Sequence, residues 1–423
     1  MSYIEERNKK ISENARATRL KRKSQICKTF KFKIAKNRLK PEDISKLKMM
    51  FVEAKWIYNY LLSKSQEIDI FDIVHNYKHL NKVTHLDKDG LEVESNISHI
   101  LSSVKQELMQ QISTQIKALS ILKKKGYKIG QLKFKSDFHS IKLKQYGVTH
   151  SLKGNKIKIQ GIKKHLPLLG LKQIKQYQNL EITTANIIKE VDDYYVCLTC
   201  YIDKVDCIKN YKNDIIGIDL GIASNLTLSN GEKISCYVEE SERVKKLQAR
   251  IARSKKGSNN RYKLRKKLEY AYIRNNNRKN DLANKIVSRL TKENRIIVIQ
   301  DDNLNDMKDG NGGTDRAKVI QHSILGRVKS KLKNKYNVVW LDRWCPTTQY
   351  CVKCGTKTKL DLKERTFVCK NCGDTEDRDI HAANNMIYFF LEYAKSKDIN
   401  TSQELAGVLT TIKWNDLSKL LSL

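Results

Sequence analysis

Residues 344–385 read WCPTTQYCVKCGTKTKLDLKERTFVCKNCGDTEDRDIHAANN. Two Cys-x-x-Cys knuckles, Cys351/Cys354 and Cys369/Cys372, are separated by residues 355–368, the spacing a two-knuckle zinc module needs. Four thiolates set tetrahedrally hold one Zn²⁺ and fold a segment too small to bury a core of its own. Directly beyond the second knuckle, DRDIHAANN starts a helix with Asp379 in its first turn. The metal is therefore expected to be structural and to position whatever chemistry Asp379 performs.

Upstream of the knuckles, RIIVIQDDNL and NVVWLDRW are short apolar runs of the kind that form buried strands, with VIQHSILGRVKSKLKNK between them as a helix. Farther back, at Asn213, the chain turns to NDIIGIDLGIASNLTLSNGEKISCYV, an apolar strand carrying Asp219, a turn at Gly221 and a hairpin signal at Asn230-Gly231. Basic residues dominate 241–293, which reads as two helices broken at SKKGSNN, with Leu247, Ile251, Leu264 and Leu268 facing a core. The Gly-rich run DMKDGNGGTDRAK, with Gly310, Gly312 and Gly313, lacks the Walker pattern and is read as a mobile lid or linker.

Three apolar strands or helix starts, far apart in sequence, thus each present an acid: Asp219, Asp301 or Asp302, and Asp379. A ribonuclease H-like core brings such positions together, the first strand central in the sheet and the last acid on a helix packed against it. Clustered carboxylates repel one another unless cations intervene, and hard oxygen donors suit Mg²⁺ or Mn²⁺. Two such metals about 4 Å apart activate water and stabilise the leaving oxygen of a phosphodiester. An isolated Asp at such a position is as readily a turn former or helix cap, Asp379 included.

Composition names the partner class. Lys plus Arg exceed Asp plus Glu by 82 − 46, a net +36 spread along the chain, which points to a polyanion, with a passive basic protein as the plain alternative. No apolar run reaches the ~18 residues of a membrane span. The ten cysteines accompany no signal peptide, so a reducing cytoplasm is expected. Cys197 and Cys200, in the strand-like YYVCLTCYI, are read as core, and Cys27, Cys207, Cys236 and Cys345 stay unassigned.

The N-terminal half opens on a cationic run, RATRLKRKSQ, expected to be a frayed arm or helix that orders on nucleic acid. KTFKFKI reads as a strand, 42–65 as a helix after Pro41, 66–95 carries little pattern, and a long amphipathic helix stops at Gly126. From Gly130 the period changes to two: QLKFKS, SIKLKQ, NKIKIQ, LEITTANIIKE and YYVCLTCYI are expected strands of a barrel. The helices are then an insertion after its first strand. The last 25 residues look like a weakly attached amphipathic tail.

GIDLG around Asp219, the basic helical pair, QHSILGRVKSKL, PTTQYCVKCG, CKNCG and DRDIHAANN resemble the TnpB family of transposon-encoded nucleases and the related miniature type V CRISPR effectors. RATRLKRKSQ, LKFKS at 132–136 and KGNKIKIQGIKK extend the resemblance over nearly the whole chain. It implies a multidomain α/β plus β protein: an RNase H-like (RuvC) nuclease core with an inserted zinc ribbon, and an OB-like barrel carrying a helical insertion. The implied division is a basic arm at 1–27, an OB-like wedge barrel at 28–41 and 126–212, and a helical recognition module at 42–125. The nuclease domain would take 213–343 and 374–392, the zinc ribbon that loads target 344–373, and a tail 393–423.

The resemblance places the catalytic, Mg²⁺-binding acids at Asp219, Asp302 and Asp379, with Mn²⁺ as an alternative ion and Zn²⁺ on the four knuckle cysteines. Asp302 stands where the family usually has Glu, and His381 where it usually has Asn. Nucleic-acid contacts fall on Arg19, Lys21, Arg22, Lys23, Arg250, Arg253, Lys255, Lys256, Arg261 and Arg265. The implied activity is RNA-guided DNA cleavage at a single site, the guide RNA pairing with target DNA that is double-stranded at first and then single-stranded. One chain, or a homodimer, would share a guide in a prokaryotic cytoplasm, nucleoid-associated when bound to DNA and with no membrane partner. Two other readings stay open: guided DNA binding without cleavage, and an autonomous transposase.

Overall fold

The computed structural model describes residues 3–65, 80–87, 90–203, 213–221, 225–304, 322–333, 335, 337–361, 364–399 and 411–420. Its contacts divide the chain into two compact units, one of Cys27–Asp206 and one of Met1–Ile26 with Cys207–Leu423. The expected Gly-rich loop at 306–318 and Cys207 lie outside the described residues. The cationic N-terminal run is helical, α1 (Tyr3–Lys23).

The first unit is built from β1 (Gln25–Ile34), α2 (Pro41–Lys64), β2 (Lys82–Leu86), β3 (Glu92–Asn96), α3 (Ser102–Lys124), β4 (Ser140–Leu143), β5 (His150–Lys153), β6 (Lys156–Ile159), β7 (Leu166–Leu169), the one-turn α4 (Lys172–Lys175), β8 (Glu181–Glu190) and β9 (Asp193–Asp203). Seven strands form one sheet in the order β4-β8-β9-β1-β7-β6-β5. Its two ends meet where Tyr146, just past β4, bridges His150 of β5, so the sheet is a nearly closed barrel. Period-2 strands put Phe32, Ile34, Ile141, Leu143, Ile157, Ile159, Ile187 and Leu198 inside. The helical stripe of α2 (Leu47, Phe51, Ala54, Ile57, Leu61) and that of α3 (Val104, Leu108, Ile112) join the same continuous core. The buried Glu53 carboxylate accepts from the backbone N–H groups of Ser98, His99 and Ile100 and so fixes the lead-in to α3.

Two expectations change here. The segment 131–136 is irregular: Asn59 donates to the Lys135 carbonyl at 3.0 Å and accepts from its N–H at 2.8 Å, so a side-chain amide takes the bonds a strand partner would have used. Between the helices, β2 and β3 pair as an antiparallel hairpin that the sequence pattern did not announce.

The second unit follows from three apolar runs. Its elements are β10 (Asn213–Gly221), β11 (Asn225–Leu228), β12 (Lys233–Ile234), α5 (Glu242–Arg253), α6 (Asn259–Glu293), β13 (Asn294–Gln300), α7 (Leu325–Leu332), β14 (Val338–Leu341), β15 (Thr366–Val368), β16 (Thr375–Asp377), α8 (Arg378–Ser396), β17 (Thr411–Ile412) and α9 (Trp414–Leu420). Six strands lie in the order β12-β11-β10-β13-β14-β17. β10, β13, β14 and β17 run parallel, β11 pairs antiparallel with β10, and β12 pairs antiparallel with β11.

Parallel strands buried on both faces need apolar residues at every position, which is why IIGI, RIIVI and VVWL lack alternation. Ile297, Ile299, Val338 and Trp340 face α6 and α7 on one side. Ile296, Val298, Val339 and Leu341 face α8 on the other, with Met386, Phe389 and Phe390. Within the expected weakly attached tail, residues 411–420 are packed in place: β17 pairs with β14, and Ile412 and Leu417 are fully buried in that second core.

Candidate nuclease site and metal centre

Asp219 occupies the C-terminal part of β10, paired with Thr227 of β11. Asp302 lies two residues past the end of β13, and Asp379 is the second residue of α8. Since β10 and β13 run parallel and α8 packs on β10, these positions share one edge of the sheet. Gly217 permits the approach of α8: a β-carbon there would sit 1.9 Å from the Ala383 carbonyl oxygen. At Gly221 a β-carbon would lie 4.0 Å from Oδ2 of Asp379.

Asp219 senses the other two acids. Burial, then the charge of Asp379, then that of Asp302 push the Asp219 carboxyl up to about 7. Burial likewise raises Asp302 to about 6, against the opposing pull of Lys329. Asp301 goes the other way: Lys329 Nζ lies 2.7 Å from its Oδ1 and Lys333 Nζ 3.1 Å, and these partners hold its carboxyl below the ordinary value in spite of partial burial. Lys329 also donates to the Asp302 carbonyl. Neighbouring acids of one extended segment thus have separate duties, an ion pair for Asp301 and the cluster for Asp302.

Helix capping is assigned as sharply. Asp377, not Asp379, caps α8, its Oδ1 accepting from the N–H groups of Asp379 (3.0 Å) and Ile380 (3.2 Å). Arg378 Nε lies 3.8 Å from Asp379 Oδ1.

Beside Asp302 opens a polar cavity of about 560 Å³ whose walls include Asp301, Lys329, Lys333, Arg343 and Lys413. Gln300, buried at the end of β13, donates to the carbonyls of Asp342, Arg343 and Cys345 and accepts from Thr347. It ties the strand before Asp302 to the lead-in of the cysteine knuckles. Sequence reading passed over Gln300, Lys329 and Lys413, because a polar residue in or after a strand carries no sign of its distant partners.

The knuckles themselves converge. The Sγ atoms of Cys351, Cys354, Cys369 and Cys372 all lie within 4.8 Å of one another, the one cluster of metal-ligating atoms this tight among the described residues. Cys351 and Cys372 are 3.6 Å apart and Cys354 and Cys369 3.5 Å, close to the roughly 3.8 Å edge of a tetrahedron with 2.3 Å Zn–S bonds. The N–H of Cys372, then the Thr356 hydroxyl, draw the Cys369 thiol down to about 5, which favours the thiolate. This donor set fits a structural Zn²⁺. The module is anchored to α8 through His381, whose ring stacks on Phe367 at 3.7 Å and whose Nε2 lies 2.9 Å from the Tyr350 carbonyl oxygen.

Of the expected nucleic-acid contacts, Arg19, Lys21, Lys23, Arg250, Arg253, Lys255, Lys256 and Arg265 are exposed, and Arg22 pairs with Gln25. Arg261 is spent inside the protein: its guanidinium donates to the carbonyls of Ile251 (2.6 Å) and Ser254 (2.8 Å) and so closes the C-terminus of α5. A cleft of about 400 Å³ between α5 and α6 is lined by Arg243, Lys246, Arg250 and Lys267. Cys197, Cys200, Cys236 and Cys345 are buried, and Cys27 is exposed.

Residues 204–311 match the family model described as "Probable transposase", and 323–386 match "Cas12f1-like, TNB domain". Over these two stretches the chain is similar to the transposases and the Cas12f1-like proteins that the two models describe. A relative from Streptomyces pristinaespiralis, provisionally named an RNA-guided DNA endonuclease, is 37% identical over 182 residues, 41% of this chain and 44% of the relative. The Escherichia coli K12 protein InsQ, with the same provisional description, is 26% identical over 247 residues, 52% of this chain and 60% of that protein. The chain thus spans about half the length of these curated relatives. A cryo-EM structure of CasPhi-2 (Cas12j) bound to crRNA overlaps 56% of this chain and 61% of its own at a TM-score of 0.33 and 12% identity, too little to fix a fold. No helix among the described residues is long and apolar enough to cross a membrane.

Proposed function

We propose that this chain is an RNA-guided DNA endonuclease, its guide pairing with one target strand and a single RuvC-like site hydrolysing phosphodiesters. The observation that carries the reading is the placement of Asp219, Asp302 and Asp379, from three distant segments, at one end of the sheet, near enough for Asp379 and Asp302 to act on the buried Asp219 carboxyl. The sheet supports it as well, with β10 central, an antiparallel meander through β11 to β12 on one side and parallel strands on the other. This is the order of a ribonuclease H-like core. The proposed division keeps the nuclease domain at 213–343 and 374–392, the ribbon at 344–373 and an OB-like wedge at 28–41 and 126–212.

Carboxyls that hold protons to about 7 and 6 mark a site short of positive charge, and an all-oxygen set fits Mg²⁺ or Mn²⁺. When bound there, such ions activate water and stabilise the leaving oxygen. The protein's own part is positional. Lys329, Lys333, Arg343 and Lys413 line the cavity where phosphates would lie, and Arg378 flanks Asp379. The exposed cations of α1, α5 and α6 would carry the backbone of the RNA–DNA heteroduplex, whose sequence is read by pairing rather than by protein.

A plasmid cleavage assay with the copurifying RNA, with and without Mg²⁺, tests the reading. Asp219→Ala should abolish cutting and keep RNA binding; cutting by that variant rejects the site. One observation favours the second reading, guided binding with weakened cleavage: Asp302 is shorter by one C–C bond, ~1.5 Å, than the Glu the resemblance leads one to expect. Target retention without nicking in the same assay would select it.

A further inference from the structure

Of the four tryptophans, Trp340 is buried at 5% exposure and Trp56 and Trp414 pack against cores, but Trp344 is 70% exposed. An indole left in water forgoes the large burial gain that places most tryptophans inside, so its position asks for a partner. Arg343 lies with its guanidinium carbon 5.5 Å from the ring centroid, and Arg343 also lines the polar cavity beside Asp302. The backbone beneath is fixed. Trp344 N–H donates to Asp342 Oδ1 and Trp414 N–H to Asp342 Oδ2, each at 3.3 Å, while Gln300 holds the carbonyls of Asp342 and Arg343.

A rigidly mounted, exposed aromatic face next to a cation-lined cavity is the combination that binds unpaired nucleotides, bases on the ring and phosphates on the cations. We propose that Trp344 is a stacking platform for an unpaired base of the DNA strand led to the acid cluster, with Arg343 and Lys413 taking adjacent phosphates. The assignment rests on the nuclease reading for its strand. It adds a specific contact, tolerant of sequence because every base has a π-face.

The test uses full-length protein with its copurified RNA, in buffer without added Mg²⁺ or Mn²⁺ so that the zinc of the ribbon is kept, and fluorescent oligo(dT) that does not pair with the guide. Trp344→Ala should weaken binding about tenfold and Trp344→Phe far less, the scale set by one stacked base. An abasic oligonucleotide of equal length should bind wild type and Trp344→Ala alike, and oligo(dT) should quench tryptophan emission in wild type but not in Trp344→Ala. Unchanged oligo(dT) affinity in Trp344→Ala, or an equal loss toward the abasic strand, overturns the proposal. Because no cleavage is read, intact base-dependent binding beside a failed plasmid assay would reject the nuclease reading alone.

Discussion

The α-carbon of Gly217 and the carbonyl oxygen of Ala383 stand so close that a single methyl group at Gly217 would lie 1.9 Å from that oxygen. The contact sets how near α8, with Asp379, comes to β10, with Asp219. Gly217→Ala must push the helix off the strand by an ångström or more, since both atoms it meets are backbone. Displacement of a reacting group by about 1 Å costs on the order of 10²-fold in rate. Cleavage should fall by that scale in Gly217→Ala, with RNA binding retained, as measured by single-turnover plasmid nicking.

His381 joins the ribbon to α8 through Phe367 and Tyr350, and Asn385 adds a 2.7 Å bond to the same Tyr350 carbonyl. His381→Ala removes the stack and leaves a buried gap, for which about 2–4 kcal/mol of destabilisation is expected. Thermal unfolding followed at the ribbon, by release of zinc to a chromogenic chelator, should begin at lower temperature than in wild type. An unchanged release temperature would rule out His381 as the joint.

Much of this site was legible because its signals are local. Apolar runs without alternation announced the parallel strands, paired cysteines announced a group of four sulfurs that could hold a metal, and acids ending apolar runs pointed to positions that the fold places at one end of the sheet. Contacts made across the chain were not legible. The pattern in QLKFKS is that of a strand, yet Asn59, far upstream, takes its backbone bonds. β17 is two residues long, too short for any periodicity, and is recognised only by its pairing with β14. Asp301 and Asp302 look alike in sequence and differ because Lys329 on α7 and Lys333 just past its end form ion pairs with the Asp301 carboxylate.

The raised carboxyls give stability a definite pH dependence in metal-free protein. Asp219 and Asp302 keep protons to about 7 and 6 when folded, against an ordinary 3.8. Between those values the folded form binds more protons than the unfolded one, so stability falls as pH rises. What the two groups contribute is complete below 3.8 and is lost as pH climbs through 6 and 7. Without added Mg²⁺ or Mn²⁺, and with the zinc of the ribbon in place, Asp219→Asn should therefore melt above wild type at pH 8 and show a smaller gain at pH 5. Mg²⁺ should raise the wild-type melting temperature more at pH 8 than at pH 6.

Removal of zinc should unfold the ribbon and spare the sheet. The ribbon's own core is little more than Phe367, Leu360 and the cysteines, whereas the sheet cores on either side of β13 are large. Structural zinc supplies about 10 kcal/mol or more of apparent folding energy to such modules. Cys369→Ser should bind less than one zinc per chain and expose 355–368 to limited proteolysis, with far-UV circular dichroism nearly unchanged. Resistance of that segment in the zinc-free protein would show that its packing suffices without metal.

Asp301 and Asp302 should separate under mutation. Asp302→Asn removes a member of the coupled cluster and should abolish cleavage as Asp219→Ala does. Asp301→Asn removes an ion-pair partner of Lys329 and Lys333, and should slow cleavage without abolishing it, by up to about 10²-fold if Lys329 shifts by an ångström. Asp302→Glu is the informative change. The side chain borders a cavity of about 560 Å³, so an added methylene meets space rather than packed atoms. Its reach grows by ~1.5 Å. Single-turnover cleavage in Asp302→Glu should equal or exceed wild type, and a loss as deep as that of Asp302→Asn would mean the site is built around the shorter acid.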